Sequence, residues 1–158
     1  MSKQPIGDDT SSEAPVIRVL VTTEAIDLAA EHAALEWGGA VATFTGLVRA
    51  DDGVAMLELE HYPGATEAAL RRLAEEAARR WSLDAATIVH RVGPMRPGER
   101  IVFTGAASAH RAAALEACAF LIDRLKTDAP FWKREVVDGQ TRWVAAREAD
   151  DHAADRWR

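Results

Sequence analysis

One cysteine, Cys118, in 158 residues excludes an internal disulfide and leaves no thiolate cluster for zinc. Tyrosine occurs once and aromatic residues make up 6% of the chain. Trp81, Trp132, Trp143 and Trp157 stand in different segments with no basic stripe around them, so they are expected to pack in the core and at interfaces rather than to stack on bases. A basic excess is missing too: 25 acidic against 19 basic residues give a formal net charge of -6, which argues against a general attraction to nucleic acid or other polyanions. No apolar run approaches the roughly 20 residues that a membrane helix needs, and the first residues lack the charged-then-apolar order of a secretory signal. The expectation is a cytoplasmic protein that does not associate with a membrane. His32, His61, His90 and His152 lack close metal-ligand spacing, and no Gly-rich phosphate loop or nucleophile elbow occurs, so neither a metal nor a cofactor is expected.

What the chain does have is 48% hydrophobic content over a length suited to one domain with a substantial core. Residues 1–15, polar and turn-forming, read as a flexible lead, and residues 16–158 as the folded domain. Val16 to Val21 suits a strand, and Thr23 with Glu24 can cap a helix ending near Gly38. Gly38 to Arg49 and Val54 to Tyr62 read as strands. Hairpin chemistry at Ala50-Asp51-Asp52-Gly53 predicts that they pair antiparallel. Pro63-Gly64 breaks the chain before a helix whose Leu70, Leu73, Ala74 and Ala77 share a face, with Arg71, Arg72, Glu75, Glu76, Arg79 and Arg80 outside as a solvated charge run. Two more strands are expected at Ala86–Val92 and Arg100–Ala107. A second helix over Ala109–Thr127 follows, with Leu115, Cys118, Ile122 and Leu125 buried and Pro130 closing it. The pattern ends in a hairpin of Phe131–Val137 and Thr141–Ala145 around Asp138-Gly139, then a short helix or irregular arm. Strands outnumber helices and hairpin turns join several of them. The fold class is therefore α+β, a mainly antiparallel sheet with two principal helices packed on it.

The chemistry concentrates between Ser108 and Glu135, where His110, Arg111, Lys126, Lys133 and Arg134 stand beside strongly apolar residues in an acidic protein. Cations among apolar groups are costly without a partner, and a small phosphate or carboxylate ligand is one reason to put them there; solvated or snorkelling side chains are the other. Ser108 is the expected N-cap of the second helix, whose first-turn amides and dipole favour an anion beside His110 and Arg111. The alternative is an ordinary cap with two exposed basic residues. Lys126 stands at the carbonyl end, where a cation is stabilised in any case. Arg111 and Lys126 are fifteen positions apart, about 22 Å along a straight helix, so one small ligand cannot meet both within one chain. Either they serve different sites or two chains share each site, as a two-fold dimer with helix start against helix end allows.

The stretches Thr43-Phe44-Thr45-Gly46 with Val48-Arg49, Leu59-Glu60-His61-Tyr62-Pro63-Gly64, His90-Arg91-Val92-Gly93, Ser108-Ala109-His110-Arg111, and Leu125-Lys126 leading to Ala129-Pro130-Phe131-Trp132-Lys133-Arg134-Glu135 together resemble the large, catalytic subunit of molybdopterin synthase in order and spacing. The resemblance runs from about Gly38 to the C-terminus. It implies a sulfurtransferase of molybdenum cofactor biosynthesis that adds two sulfurs to cyclic pyranopterin monophosphate. The sulfur would arrive as the C-terminal thiocarboxylate of a small ubiquitin-like subunit, in a heterotetramer built on a central homodimer of the large subunit. By motif, Lys126 and Lys133 would be the catalytic lysines, while Leu47, Val48, Arg49, His110, Arg111, Lys126, Lys133, Arg134, Glu135 and Arg147 would bind the substrate. Arg147 would reach into the neighbouring chain's pocket.

The residues themselves suit that chemistry. Opening a cyclic phosphate and losing oxygen from carbon requires cations to offset developing negative charge and a group to shuttle protons. A lysine crowded by other cations and partly desolvated holds its proton less firmly, which suits Lys126 as base or nucleophile and leaves Lys133 an electrostatic role. Arg49, between strand and hairpin, can be aimed at a phosphate. The chain departs from the family pattern at Leu47, often lysine in relatives, and at Ile122, where methionine is common; its hairpin loop at Asp51-Asp52-Gly53 is also shorter than in some. The rival reading is a non-catalytic module that binds a phosphorylated pterin or a partner's C-terminal tail.

Overall fold

Alternating apolar and β-branched residues build two four-stranded sheets, and the computed structural model describes residues 13–50, 53–144 and 148–158 of the chain. The first sheet has the order β1 (Val16–Thr22), β4 (Ala85–Arg91), β6 (Arg100–Ser108), β2 (Ala40–Leu47); the second has β5 (Gly93–Met95), β3 (Val54–His61), β7 (Phe131–Val137), β8 (Gln140–Val144). Every pairing is antiparallel except β1 with β4. The α+β class with a mainly antiparallel arrangement therefore stands, divided over two sheets.

Two helices of 17 and 18 residues, α2 (Ala65–Trp81) and α3 (Arg111–Asp128), cover one face of the first sheet, α2 over β1 and β4, and α3 over β6 and β2. Beneath them β4 and β6 run buried along almost their whole length. Leu70, Leu73 and Ala77 of α2 meet Phe120, Leu121 and Leu125 of α3 over Ala86, Ile88 and Val102. The opposite sheet face is closed by the short α1 (Leu28–Ala34), where Ile26 and Leu35 cover Val89, Phe103 and Ala107. A last helix, α4 (Glu148–Asp155), packs on α3. Behind it the Arg80 guanidinium lies over Trp81 and Trp157, 4.8 and 5.5 Å from the ring centres, while the two indoles meet edge-on at 5.6 Å.

Several local expectations are corrected. Asp27, not Thr23, caps α1, its carboxylate accepting the Ala30 amide at 3.1 Å. The start of α2 needs no correction: it follows the Pro63-Gly64 break, with Thr66 buried in its first turn and Glu67 reaching back to the Gly64 amide. The N-cap position of α3 belongs to His110; Ser108 is the buried last residue of β6 and accepts the His110 amide from there. Leu115 is 58% exposed, because the buried stripe of α3 runs through Ala114, Ala117, Cys118, Leu121 and Leu125, one residue out of phase with it. The strands β2 and β3 do not pair with each other: β2 lies on β6, and β3 lies between β5 and β7. Turn chemistry is local, whereas the partner of a strand is decided by which face it can bury. Asp51 and Asp52 lie outside the described residues, as do residues 1–12 of the expected lead and Ala145 at the expected end of the last strand. The final hairpin forms as expected, with Asp138 and Gly139 at φ of 50° and 75°, the positive pair that a tight two-residue turn requires.

Candidate functional site

Where the two sheets meet, they leave a cavity of about 390 Å³. The end of β2 supplies Phe44, Thr45, Gly46 and Leu47, followed by Val48 and Arg49; Val54 and Leu57 come from β3, Ile101 from β6, Lys126 from the last turn of α3, and Lys133 with Glu135 from β7. Six of the expected residues are thus drawn together, namely Leu47, Val48, Arg49, Lys126, Lys133 and Glu135.

Strand alternation on β7 explains which side chains arrive there. Lys133 stands opposite Leu59 and Glu135 opposite Leu57, so both share the face of those buried leucines. Arg134 takes the other face. Its Nη2 donates to Glu60 at 2.6 Å and lies 3.0 Å from Glu58, and the guanidinium sits over the Trp143 ring at 5.2 Å. Within one chain Arg134 is therefore separated from the cavity. His110 and Arg111 are exposed at the opposite end of α3 from Lys126, which leaves the fifteen-position gap intact. Arg147 lies outside the described residues.

Arg142 and His90 are not among the expected site residues. Arg142 on β8 donates from Nε and Nη2 to Glu135 Oε2, at 3.1 and 2.8 Å, and so offsets the one carboxylate that the described residues place in the cavity wall. Its position opposite Glu135 in the final hairpin could have exposed it. His90 lies on the helix-covered face of β4, in the same alternation as Ala86 and Ile88, and is 3% exposed. Its ring stacks on Phe131 at 4.1 Å, and burial, together with the positive charges of Lys126, Lys133 and His61, pushes its pKa down to about 3. His61 reaches Glu67 at 3.1 Å.

Chemically this is a half-apolar pocket with cations converging from three separate elements, suited to a flat anionic ligand whose ring meets the aliphatic wall and whose charge meets the lysines and Arg49. The thiol of Cys118 takes no part: it is buried against Thr104, and that burial raises its pKa. Among the described residues no three His, Cys, Asp or Glu side chains gather as a metal site, and no helix is long and apolar enough to cross a membrane.

Known proteins resemble this chain over most of its length. The molybdopterin synthase catalytic subunit of Escherichia coli K12 is 55% identical over 122 residues, covering 75% of this chain and 81% of its own. That of Mesorhizobium japonicum is 51% identical over 152 residues, covering 92% and 94%. Among solved structures, the molybdopterin biosynthesis MoaE protein of Burkholderia ambifaria superposes with a TM-score of 0.78 at 47% identity, covering 90% of this chain and 98% of that one. Molybdopterin synthase from Staphylococcus aureus gives 0.74 at 32% identity, covering 79% and 95%. The family profile described as MoaE protein matches residues 21–128, and the chain belongs to that family.

Proposed function

We propose that the cavity between the two sheets is the site at which this chain, as a molybdopterin synthase catalytic subunit, transfers sulfur to cyclic pyranopterin monophosphate. Each of the two sulfurs comes from the C-terminal thiocarboxylate of a separate copy of a small ubiquitin-like subunit, and residues 16–158 act as one catalytic domain in the cytoplasm. The observation that carries this reading is the convergence of Lys126, Lys133 and Arg49 on one half-apolar cavity, in a family whose relatives bear that name. Arg49 and Lys133 hold the phosphate and offset charge that develops on oxygen as the cyclic ester opens, and Lys126 moves protons between the sulfur donor and the departing oxygen. Leu47, where relatives often carry lysine, adds a half-exposed apolar rim. Arg134 supports this site indirectly, by fixing the strand that presents Lys133 and Glu135.

His110, Arg111 and Arg147 complete the pocket of a neighbouring copy in a homodimer within a heterotetramer. Support for this comes from the length of α3, which keeps Arg111 away from Lys126 of its own chain.

Purified chain mixed with a thiocarboxylated small subunit and cyclic pyranopterin monophosphate is expected to yield the dithiolene product, and Lys126→Ala to lower turnover by about a hundredfold or more. Binding of the pterin without product would favour the non-catalytic module, and wild-type turnover by Lys126→Ala would overturn the assignment.

A further inference from the structure

We propose that Arg91 and Glu99 form a clasp that positions Arg49, by holding the turn onto which the chain is pinned as it leaves β2. The inference rests on the reading of Arg49 as a phosphate-holding residue. Pairing of β2 with β6 shifts register between Gly46 and Leu47, and the strand ends at Leu47. Beyond that point two backbone bonds hold the chain, both 2.8 Å long: the Val48 amide donates to the Glu99 carbonyl, and the Gly98 amide donates to the Val48 carbonyl. Val48 is buried, Arg49 follows it directly, and both line the cavity. Whatever fixes Gly98 and Glu99 thus fixes the place from which the Arg49 side chain sets out.

Side chains fix that turn. Glu99 accepts the Arg96 amide through Oε2, and its Oε1 lies 3.4 Å from Arg91 Nη1. The Arg96 amide and the Arg91 guanidinium hold the Glu99 carboxyl below the usual carboxylate range. Arg91 is anchored in turn, its Nη2 donating to the Thr23 carbonyl at 3.1 Å. Its side chain is 9% exposed, and Nε has no hydrogen-bond partner among the described residues. A guanidinium buried in this way is a costly means of filling a core position unless the cation is used. Val89, two residues earlier on the same face of β4, fills its own position with an aliphatic side chain. Arg91 is not part of the cavity wall, so its use there is through Glu99 and the turn.

Hydrogen exchange and pterin binding test the clasp together. Glu99→Ala and Arg91→Met are each expected to speed exchange of the Val48 amide about tenfold or more, while the Thr104 amide in the middle of β6 stays protected. Each is also expected to weaken binding of cyclic pyranopterin monophosphate about tenfold, and to have almost no further effect once Arg49→Ala is present. Glu99 is half-exposed, so Glu99→Ala carries the test even where Arg91→Met does not fold. Unchanged Val48 exchange would overturn the proposal. So would wild-type pterin affinity in Glu99→Ala, or a loss that adds in full to that of Arg49→Ala, since either would reduce the pair to general stability. If the wild-type chain binds no pterin, the reading of the cavity fails, and the Val48 exchange rate still decides whether the clasp governs the exit from β2.

Discussion

A histidine kept neutral inside a fold ties stability to acidity. Burial, assisted by Lys126, Lys133 and His61, depresses the folded pKa of His90 from 6.5 to about 3. Between those values the unfolded chain binds the proton and the folded chain does not, so stability falls as pH drops through this window and is fully present above 6.5. The slope this one residue can add is about 1.4 kcal/mol per pH unit. Urea unfolding at pH 7 and pH 5.5 is expected to show about 1 kcal/mol lost to this residue in the wild type, and His90→Phe is expected to lack that part of the loss; equal losses in both would refute the assignment. Lys126, Lys133, Arg49 and Glu135 were legible as site residues because motif and apolar neighbours marked them. His90 stood within a family stretch but was not marked as a site residue, since a histidine without ligand spacing on an apolar strand reads like any core residue. Arg142 escaped for the opposite reason, standing in an exposed strand where nothing marks it except its register partner.

At the level of elements, the strands decide which neighbours in sequence become neighbours in space. Lys133, Arg134 and Glu135 are consecutive, yet the two-residue period of β7 sends the middle one to Glu58, Glu60 and Trp143 and the outer two into the cavity. Period alone foretells such a split, whereas the separation of β2 from β3 could not be read from their hairpin chemistry, because it follows from long-range burial. Two substitutions probe how the elements are seated. Gly105 of β6 faces α1, and a Cβ there would lie 2.1 Å from Leu35 Cδ1. Gly105→Ala is expected to cost about 1–3 kcal/mol through overpacking, read as a lowered Tm. Thr66 joins α2 to the chain just before β7, donating to the Pro130 carbonyl and accepting the Tyr62 amide, both at 2.9 Å. Thr66→Val leaves two part-buried backbone groups without their side-chain partner and is expected to cost about 1–2 kcal/mol in urea unfolding.

For the whole molecule, the net charge of -6 and the cationic cavity describe different length scales: an acidic chain disfavours polyanions, while Arg49, Lys126 and Lys133 converge on one cavity. The shared-site reading makes its own prediction. Arg111→Ala and Lys126→Ala, each inactive alone, are expected to recover part of the activity when mixed and allowed to exchange subunits, because a mixed dimer retains one intact pocket. No recovery after demonstrated exchange would confine each site to one chain. The fifteen-position gap behind the shared-site reading was legible as a distance along a helix, whereas a surface for a second copy was not, since the exposed faces of β-strands carry little that tells solvent from partner.

The edge-on contact of Trp81 with Trp157 has an optical consequence. Two indoles nearly perpendicular at 5.6 Å couple their transitions, and Arg80 beside them polarises both. Release of the C-terminal arm from its seat therefore has a spectroscopic signature of its own: circular dichroism from the coupled indoles should vanish while the helical signal of the remaining fold persists.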